Sequence, residues 1–166
     1  NHLIILDACR FNIFKHVYRK FFSSVTEFKC ITSPASSTME FVRKNLSDAI
    51  KEKLKDTVFV NSNPVIDHVL GRKLEELFYK CIPVWKNYWD YNRGTVKPVD
   101  VFRITLRTFI RYPNKRMFVW FLQPHYPYLT RRFAHISVET RTFMNIWPLI
   151  AQRHETSGGN LLYLFK

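Results

Sequence analysis

The chain has 166 residues, of which 46% are hydrophobic, so it is long enough to bury one core and we expect a single domain spanning residues 1–166. Its 26 lysine and arginine residues outnumber 13 acidic residues and give a net charge of +13, which favours anionic ligands. The four glycines and the three cysteines, which lack CxxC spacing, exclude a dinucleotide-binding fingerprint, a P-loop, a disulfide framework and a zinc knuckle.

The first predicted element is a short apolar strand at residues 3–6, which places Asp7 at its carboxyl end. In an α/β sheet that edge is where ligands and metals bind, because strand ends and helix starts meet there. Asp7 is therefore a candidate metal ligand. The alternative is that Asp7 only caps the helix that begins near Phe11.

A run of hydroxyl residues follows a second apolar stretch, at residues 28–31, that predicts another strand. The run opens a predicted helix, and helix amino termini attract anions through their free N–H groups and dipole. Ser36, Ser37 and Thr38 are accordingly candidate nucleophiles toward a phosphate or sulfate ester, with a metal lowering the pKa of the hydroxyl. The structural alternative is a capping box running from Ser37 to Glu40.

The third informative segment is the apolar run at residues 117–122, which predicts a buried strand. The polar turn Gln123-Pro-His-Tyr-Pro follows it, so His125 is held between two prolines at the same sheet edge as Asp7. His125 is a candidate substrate-binding residue. The alternative is a solvated loop histidine, which is the commoner situation.

The remaining elements are a strand near residues 57–60 and helices near residues 11–22, 38–55, 65–79, 98–111 and 137–151. Strands separated by helices predict a mostly parallel sheet covered on both faces, which is a three-layer α/β/α fold. The longest purely apolar run, at residues 117–122, is far shorter than a membrane span, and cytoplasm is the expected location.

The helix predicted at residues 98–111 combines apolar and basic side chains. The three- and four-residue spacing of Phe102, Leu106 and Phe109 predicts that these side chains form its buried side. The basic side chains lie on another side of the helix: Arg103, Arg107 and Arg111.

Taken in order, three segments of the chain resemble motifs of the alkaline phosphatase superfamily, and specifically of its sulfatase-like proteins. Leu6-Asp7-Ala-Cys-Arg10 resembles the first-strand motif whose aspartate binds metal. Ser33-Pro-Ala-Ser-Ser-Thr-Met-Glu-Phe41 resembles the nucleophile segment, and Gln123-Pro-His-Tyr-Pro-Tyr128 resembles the Q-P-H-x-P-Y turn. Residues 59–64 and 84–95 are also similar to the family, so the resemblance covers most of the chain.

The resemblance implies an alkaline-phosphatase-like fold and a metal-dependent hydrolase or transferase acting on phosphate or sulfate esters. It implies Asp7 as a ligand of zinc, manganese, magnesium or calcium, and Ser36 as the nucleophile with Thr38 or Ser37 as alternatives. The implied substrate contacts are His125 and Asn63. Arg131, just beyond the His125 turn, is a further candidate because its charge attracts an anionic substrate. The substrate class is an anionic small molecule or a glycan or lipid ester.

One part of the family's pattern does not occur in these residues, namely the second group of metal ligands that includes an Asp-His-Gly segment. We therefore expect the chain to be the amino-terminal portion of such a catalytic domain, with little or no turnover of its own. The nucleophile segment also lacks the cysteine of the true sulfatases, which favours a plain hydroxyl nucleophile.

Two functions of other classes stay open. One is a non-catalytic remnant that binds anionic ligands or a partner. The other is a basic nucleic-acid-binding module, although the basic residues are spread along the chain and no nucleic-acid motif occurs. The expected burial of Phe102 and Phe109 also leaves few aromatic side chains for base stacking, so no specific nucleic-acid partner is expected.

Overall fold

The structure is a computed structural model that describes residues 1–25, 27–130, 132–133 and 138–156. The strands are β1 (Leu3–Leu6), β2 (Thr57–Asn61), β3 (Lys80–Pro83), β4 (Trp89–Asp90), β5 (Thr95–Val96) and β6 (Arg116–Phe121). Four of them form a parallel sheet in the order β1-β6-β2-β3, and β4 and β5 pair as an antiparallel hairpin. The predicted parallel sheet is confirmed.

The helices follow the strands in the alternation that a parallel sheet requires. They are α1 (Phe11–Phe21), α2 (Thr38–Asn45), α3 (Lys51–Leu54), α4 (Pro64–Leu70), α5 (Lys73–Leu77), α6 (Trp85–Tyr88), α7 (Pro98–Arg111), α8 (Val138–Met144) and α9 (Ile146–Thr156). Among these described helices, none has both the length and the apolar character needed to cross a membrane.

The two central strands of the sheet are buried on both faces. On one face Phe59 and Phe118 pack against side chains of α2, α4 and α5, and on the other Val60 and Val119 pack against α6, α7 and α9. Burial on both faces explains why these strands are continuously apolar rather than alternating. The predicted three-layer α/β/α fold is confirmed.

The strand predicted at residues 28–31 is wrong. Phe28 lies outside the sheet and stacks on Tyr18 of α1, with ring centroids 4.4 Å apart and planes 6° from parallel. Ile31 is 82% exposed and Cys30 is also exposed. The apolar side chain of Phe28 is thus used in a local aromatic cluster, and in the described chain β1 remains an edge strand.

Three predicted helices are interrupted. The helix predicted at 38–55 divides into α2, a 3₁₀ turn at Asp48–Ile50 and α3, because the intervening Ser47 is extended and Asn, Ser and Asp favour turns. The helix predicted at 65–79 divides at Gly71, whose φ of 51° only glycine adopts at no cost. The one predicted at 137–151 divides into α8 and α9.

The buried side of α7 also differs from the prediction. Phe102 is 59% exposed, and Leu106 and Phe109 are exposed as well, whereas Val101 and Thr108 are buried. The Thr108 hydroxyl donates to the carbonyl of Ile104 at 2.7 Å, so its polar atom is satisfied within the helix and the residue can face the core. Apolar spacing alone therefore indicated the wrong side of this helix.

Candidate functional site

Asp7 lies directly after β1, at the carboxyl edge of the sheet. Its backbone N–H donates to the carbonyl of Phe121 at 3.0 Å, which continues the pairing of β1 with β6 by one residue. Ala8 then has φ of 55°, a left-handed conformation that is costly for a residue with a Cβ atom. The strand therefore ends abruptly, with the Asp7 side chain fixed at its tip.

The Asp7 carboxylate is surrounded by donors from three other segments. Its Oδ2 accepts hydrogen bonds from Asn63 Nδ2 at 2.8 Å, Trp120 Nε1 at 3.1 Å and Thr38 Oγ1 at 3.3 Å. Asn63 follows β2, Trp120 lies in β6 and Thr38 begins α2, so the carboxyl ends of adjacent strands and a helix start converge on one oxygen atom. Three donors on one oxygen orient the carboxylate firmly.

The three candidate hydroxyl groups before and at the start of α2 have different partners. Ser37 is the N-cap and accepts from the Glu40 N–H at 3.3 Å, as the capping alternative predicts. Ser36 donates to Glu40 Oε2 through both its N–H, at 3.0 Å, and its hydroxyl, at 3.3 Å. Thr38 is the only one of the three whose hydroxyl contacts Asp7 in the described structure.

A lysine holds the capping carboxylate in place. The Lys44 ammonium donates to Glu40 Oε1 at 2.6 Å, and this bond, together with the Ser36 N–H, holds the pKa of the Glu40 carboxyl below its usual value. Lys44 also donates to the carbonyl of Pro34 at 2.8 Å. The loop that precedes α2 is therefore tied to the first two turns of the helix.

Asn63 positions Asp7 while it caps α4. Its Oδ1 accepts from the Val65 N–H at 3.0 Å, which leaves Nδ2 to donate to Asp7. The side chain of Asn61 bonds both the N–H and the carbonyl of Asn63, at 2.9 and 3.0 Å. Asp67 in turn accepts from Asn61 and from Trp85 Nε1. A buried polar network thus fixes the residue that holds Asp7.

Sequence reasoning missed the roles of Trp120, Asn61 and Asp67. Trp120 was assigned only to the buried strand, yet a buried indole N–H needs an acceptor, and that requirement was the available signal. The polar run after β2 contained the signal for Asn61, because adjacent buried amides must satisfy one another. Nothing in the sequence pattern distinguished Asp67 from other helical acids.

His125 lies in the turn after β6, next to the same site. Its backbone N–H donates to the Leu122 carbonyl at 3.1 Å, and its Nδ1 lies 2.6 Å from the Tyr126 carbonyl oxygen. A carbonyl can only accept, so Nδ1 carries a hydrogen and Nε2 is left for a ligand. Nε2 is therefore the ring atom through which His125 can exchange a proton with that ligand.

These residues line one cavity of about 600 Å³ at the carboxyl edge of the sheet. Its polar lining consists of Asp7, Ser33, Ser36, Ser37, Thr38, Cys9 and His125, together with the indole of Trp120. The lining contains no lysine or arginine among the residues that the structure describes. Arg131, predicted as a substrate contact, lies outside the described residues.

The donor set at the cavity bears on the predicted metal. Over residues 1–25, 27–130, 132–133 and 138–156, no group of three or more His, Cys, Asp and Glu side chains is placed to hold a metal ion. Asp7 is a single carboxylate, whereas zinc takes about four protein or water ligands and calcium takes six or more. The described residues do not form a complete cation site.

The chain has no match among protein-family models, curated proteins or solved structures. The resemblance to sulfatase-like proteins therefore stays a prediction. Of the residues that it singles out, Asp7, Ser36, Ser37, Thr38 and His125 share the cavity, and Asn63 hydrogen-bonds to Asp7.

Proposed function

We propose that this cavity binds a phosphate or sulfate ester and that Thr38 is the hydroxyl that attacks it, in a hydrolase or transferase of the alkaline phosphatase superfamily. The observation that carries the proposal is the hydrogen bond from Thr38 Oγ1 to Asp7 Oδ2. A hydroxyl paired with a carboxylate that other groups orient is the arrangement of an activated nucleophile. Asn63 and Trp120 supply that orientation.

The proposed reaction uses each of these groups once. The Thr38 hydroxyl donates its hydrogen to Asp7, so its lone pairs are available for attack on phosphorus or sulfur. As the new bond forms, the Thr38 proton moves to Asp7 Oδ2 and the bond from phosphorus or sulfur to the ester oxygen breaks. That oxygen receives a proton from Nε2 of His125, which must then start in its imidazolium form. Water or a second acceptor then takes the group from Thr38, which distinguishes hydrolysis from transfer.

The start of α2 stabilises the ester oxygens. A helix leaves its first N–H groups without partners inside the helix, and at α2 the Glu40 N–H is bonded to the Ser37 hydroxyl, which leaves the N–H groups of Thr38 and Met39 for the ester. The helix dipole adds a partial positive charge there. Because the described lining of the cavity has no lysine or arginine, these N–H groups are its main source of positive potential.

The resemblance implies a divalent cation, for which the described residues offer one candidate ligand and not a full set. Asp7 would be one of its ligands, and the cation would offset the charge of the ester. The described residues do not complete its coordination shell.

The proposal is tested by a single-turnover experiment with the chain in excess over 4-nitrophenyl phosphate or 4-nitrophenyl sulfate, with and without zinc, manganese, magnesium or calcium. We expect a covalent phosphoryl or sulfuryl adduct of the chain, located on Thr38 by peptide fragmentation. Thr38→Val should abolish the adduct and Ser36→Ala should retain it. A wild-type chain that forms no adduct under any of these conditions contradicts the proposal.

One observation favours a second candidate function, the nucleic-acid-binding module. Phe102 and Phe109 are exposed on α7 beside Arg103 and Arg107, and exposed aromatic rings interleaved with arginine suit stacking on single-stranded bases. The matched test compares Phe102→Ala with Arg103→Ala for binding of a single-stranded oligonucleotide. Loss of affinity in Phe102→Ala beyond that in Arg103→Ala supports this candidate, whereas an unchanged affinity in Phe102→Ala rejects it.

A further inference from the structure

Helix α1 is divided into an apolar half and a basic half. Around the helix axis, its apolar side chains share one half: Phe11, Ile13, Phe14, Val17, Tyr18 and Phe21. The other half carries Lys15, His16, Arg19 and Lys20 beside Asn12, and α1 contains no acidic residue. Such a separation predicts that the apolar half is covered by something other than water.

The described part of the chain covers this apolar half only in part and leaves Ile13 and Phe21 exposed. No residue of α1 is buried, and Phe21 near its carboxyl end is 76% exposed. The ring contacts of α1 are internal or local. Phe28, just beyond the helix, stacks on Phe11, Phe14 and Tyr18, and Phe14 also contacts Tyr18 and Phe22. The exposed Phe22 and Val25 extend the apolar surface past the end of the helix.

The charge around this surface indicates what covers it. The first acidic residue after the helix, Glu27, is paired with Lys29 at 2.6 Å, so its charge is already neutralised and does not offset the basic half of α1. A second copy of a chain with net charge +13 would bring like charges together. An anionic bilayer provides both an apolar phase for the aromatic side chains and negative head groups for the lysines and arginine.

We propose that α1 lies in the surface of an anionic membrane, with its apolar half in the acyl boundary and its basic half at the lipid head groups. The aromatic composition of the apolar half suits this position, because aromatic rings accumulate at membrane–water interfaces. The proposal concerns peripheral attachment through α1 and is independent of the chemistry at Thr38.

The test is sedimentation of the intact chain with vesicles of equal parts phosphatidylcholine and phosphatidylserine, and with vesicles of phosphatidylcholine alone. We expect binding to the anionic vesicles that weakens as salt is raised, and little binding to the neutral ones. Phe21→Glu should lower the partition coefficient at least about tenfold, because it removes an inserting ring and adds a negative charge. Phe21 is 76% exposed, so its replacement should leave the fold and the circular dichroism spectrum unchanged.

The matched control is Ile110→Glu, which makes the same charge change at a side chain on α7 that is 71% exposed. It should bind vesicles within about twofold of the wild type. Equal loss in both variants, or unchanged binding in Phe21→Glu, overturns the proposal. Absence of vesicle binding by the wild type also overturns it. Self-association in solution that Phe21→Glu abolishes, without vesicle binding, would show that a second copy covers α1 instead.

Discussion

Thr38 Oγ1 lies 3.3 Å from Asp7 Oδ2, although 31 residues separate the two positions in the chain. Ser36, two residues earlier, is bonded to Glu40 instead. Both hydroxyls donate to a carboxylate at 3.3 Å, but the bond from Thr38 to Asp7 is partly buried, whereas the bond from Ser36 to Glu40 is exposed. Glu40 is also bonded to Lys44, which lowers the pKa of its carboxyl and makes it the weaker proton acceptor. The geometry thus favours Thr38 over Ser36, the nucleophile that the resemblance first implied.

The charge of Asp7 should oppose the binding of a free oxyanion. We expect Asp7→Asn to tighten binding of tungstate, a stable tetrahedral oxyanion, about fivefold or more in the presence of a chelator. A unit charge at about 4 Å costs about 1 kcal/mol even at the dielectric constant of water. Titration followed by the amide resonances of residues 37–39 measures the affinity. Weaker or unchanged binding in Asp7→Asn under these conditions would show that the bound oxyanion does not lie beside the Asp7 carboxylate.

The hydrogen bonds from Ser36 to the Glu40 carboxylate should break in acid. The hydrogen bonds from Lys44 and Ser36 hold the pKa of the Glu40 carboxyl below its usual value. The stability that these bonds contribute is therefore fully present above the usual pKa, and it is lost as pH falls through the lowered pKa. We expect the Ser36 amide resonance to shift in that acidic range. Glu40→Gln should show the low-pH position of that resonance already at pH 7. A Ser36 amide resonance that does not shift with pH would contradict a hydrogen bond from Ser36 to the Glu40 carboxylate.

The stability of the fold should depend on the amide group of Asn63, whose Oδ1 caps α4 and whose Nδ2 donates to Asp7. Asn63→Asp retains an acceptor for the Val65 N–H, yet it places a second carboxyl beside Asp7. We expect a loss of about 1–3 kcal/mol in the free energy of unfolding at pH 7, measured by urea denaturation. Burial and the neighbouring charge raise the pKa of the introduced carboxyl, so the loss should shrink as pH falls.

Asn63→Ser is the control for this prediction, because it also keeps a capping oxygen but adds no charge. Its loss of stability should not depend on pH in the same range. Equal pH profiles for the two variants would show that no charge repulsion arises at Asp7.

The orientation of α7 can be checked with two adjacent residues. Val101 is fully buried against the sheet and Phe102 is 59% exposed. We expect Val101→Ala to lower the free energy of unfolding by about 1.5–3 kcal/mol, and Phe102→Ala to change it by less than about 0.5 kcal/mol. A larger loss of stability in Phe102→Ala than in Val101→Ala, measured by thermal or urea unfolding, would show that Phe102 faces the core as the apolar spacing predicts.

Long and well-delimited elements could be predicted from the sequence, and short or partner-dependent ones could not. β1, β2 and β6 are apolar runs, and α7 begins at Pro98, so their approximate positions were predictable. β3 is a four-residue strand, Lys-Cys-Ile-Pro, whose pairing with β2 no local pattern indicates. Residues 28–31 have strand-like composition, but Phe28 packs on Tyr18 of α1 instead of pairing with the edge strand β1.

The sequence predicts which edge of the sheet carries the candidate site, but it does not predict which atoms bond to one another there. Strand ends placed Asp7 and His125 together because parallel strands deliver their carboxyl ends to one side. The choice among Ser36, Ser37 and Thr38 depends on where α2 begins, and a shift of one residue in a helix start changes every capping partner. Side-chain hydrogen bonds over long sequence separation, such as that from Trp120 to Asp7, have no local signature.

The central claim, that Asp7 activates the Thr38 hydroxyl, is tested most directly by the rate and position of covalent labelling with an aryl sulfonyl fluoride, whose fluoride leaves as a hydroxyl attacks sulfur. We predict one adduct per chain on Thr38, formed at least about a hundredfold more slowly in Asp7→Asn, the lower end of what a positioned proton acceptor contributes. Labelling of Ser36 in place of Thr38, or equal rates in the wild type and Asp7→Asn, would contradict the claim.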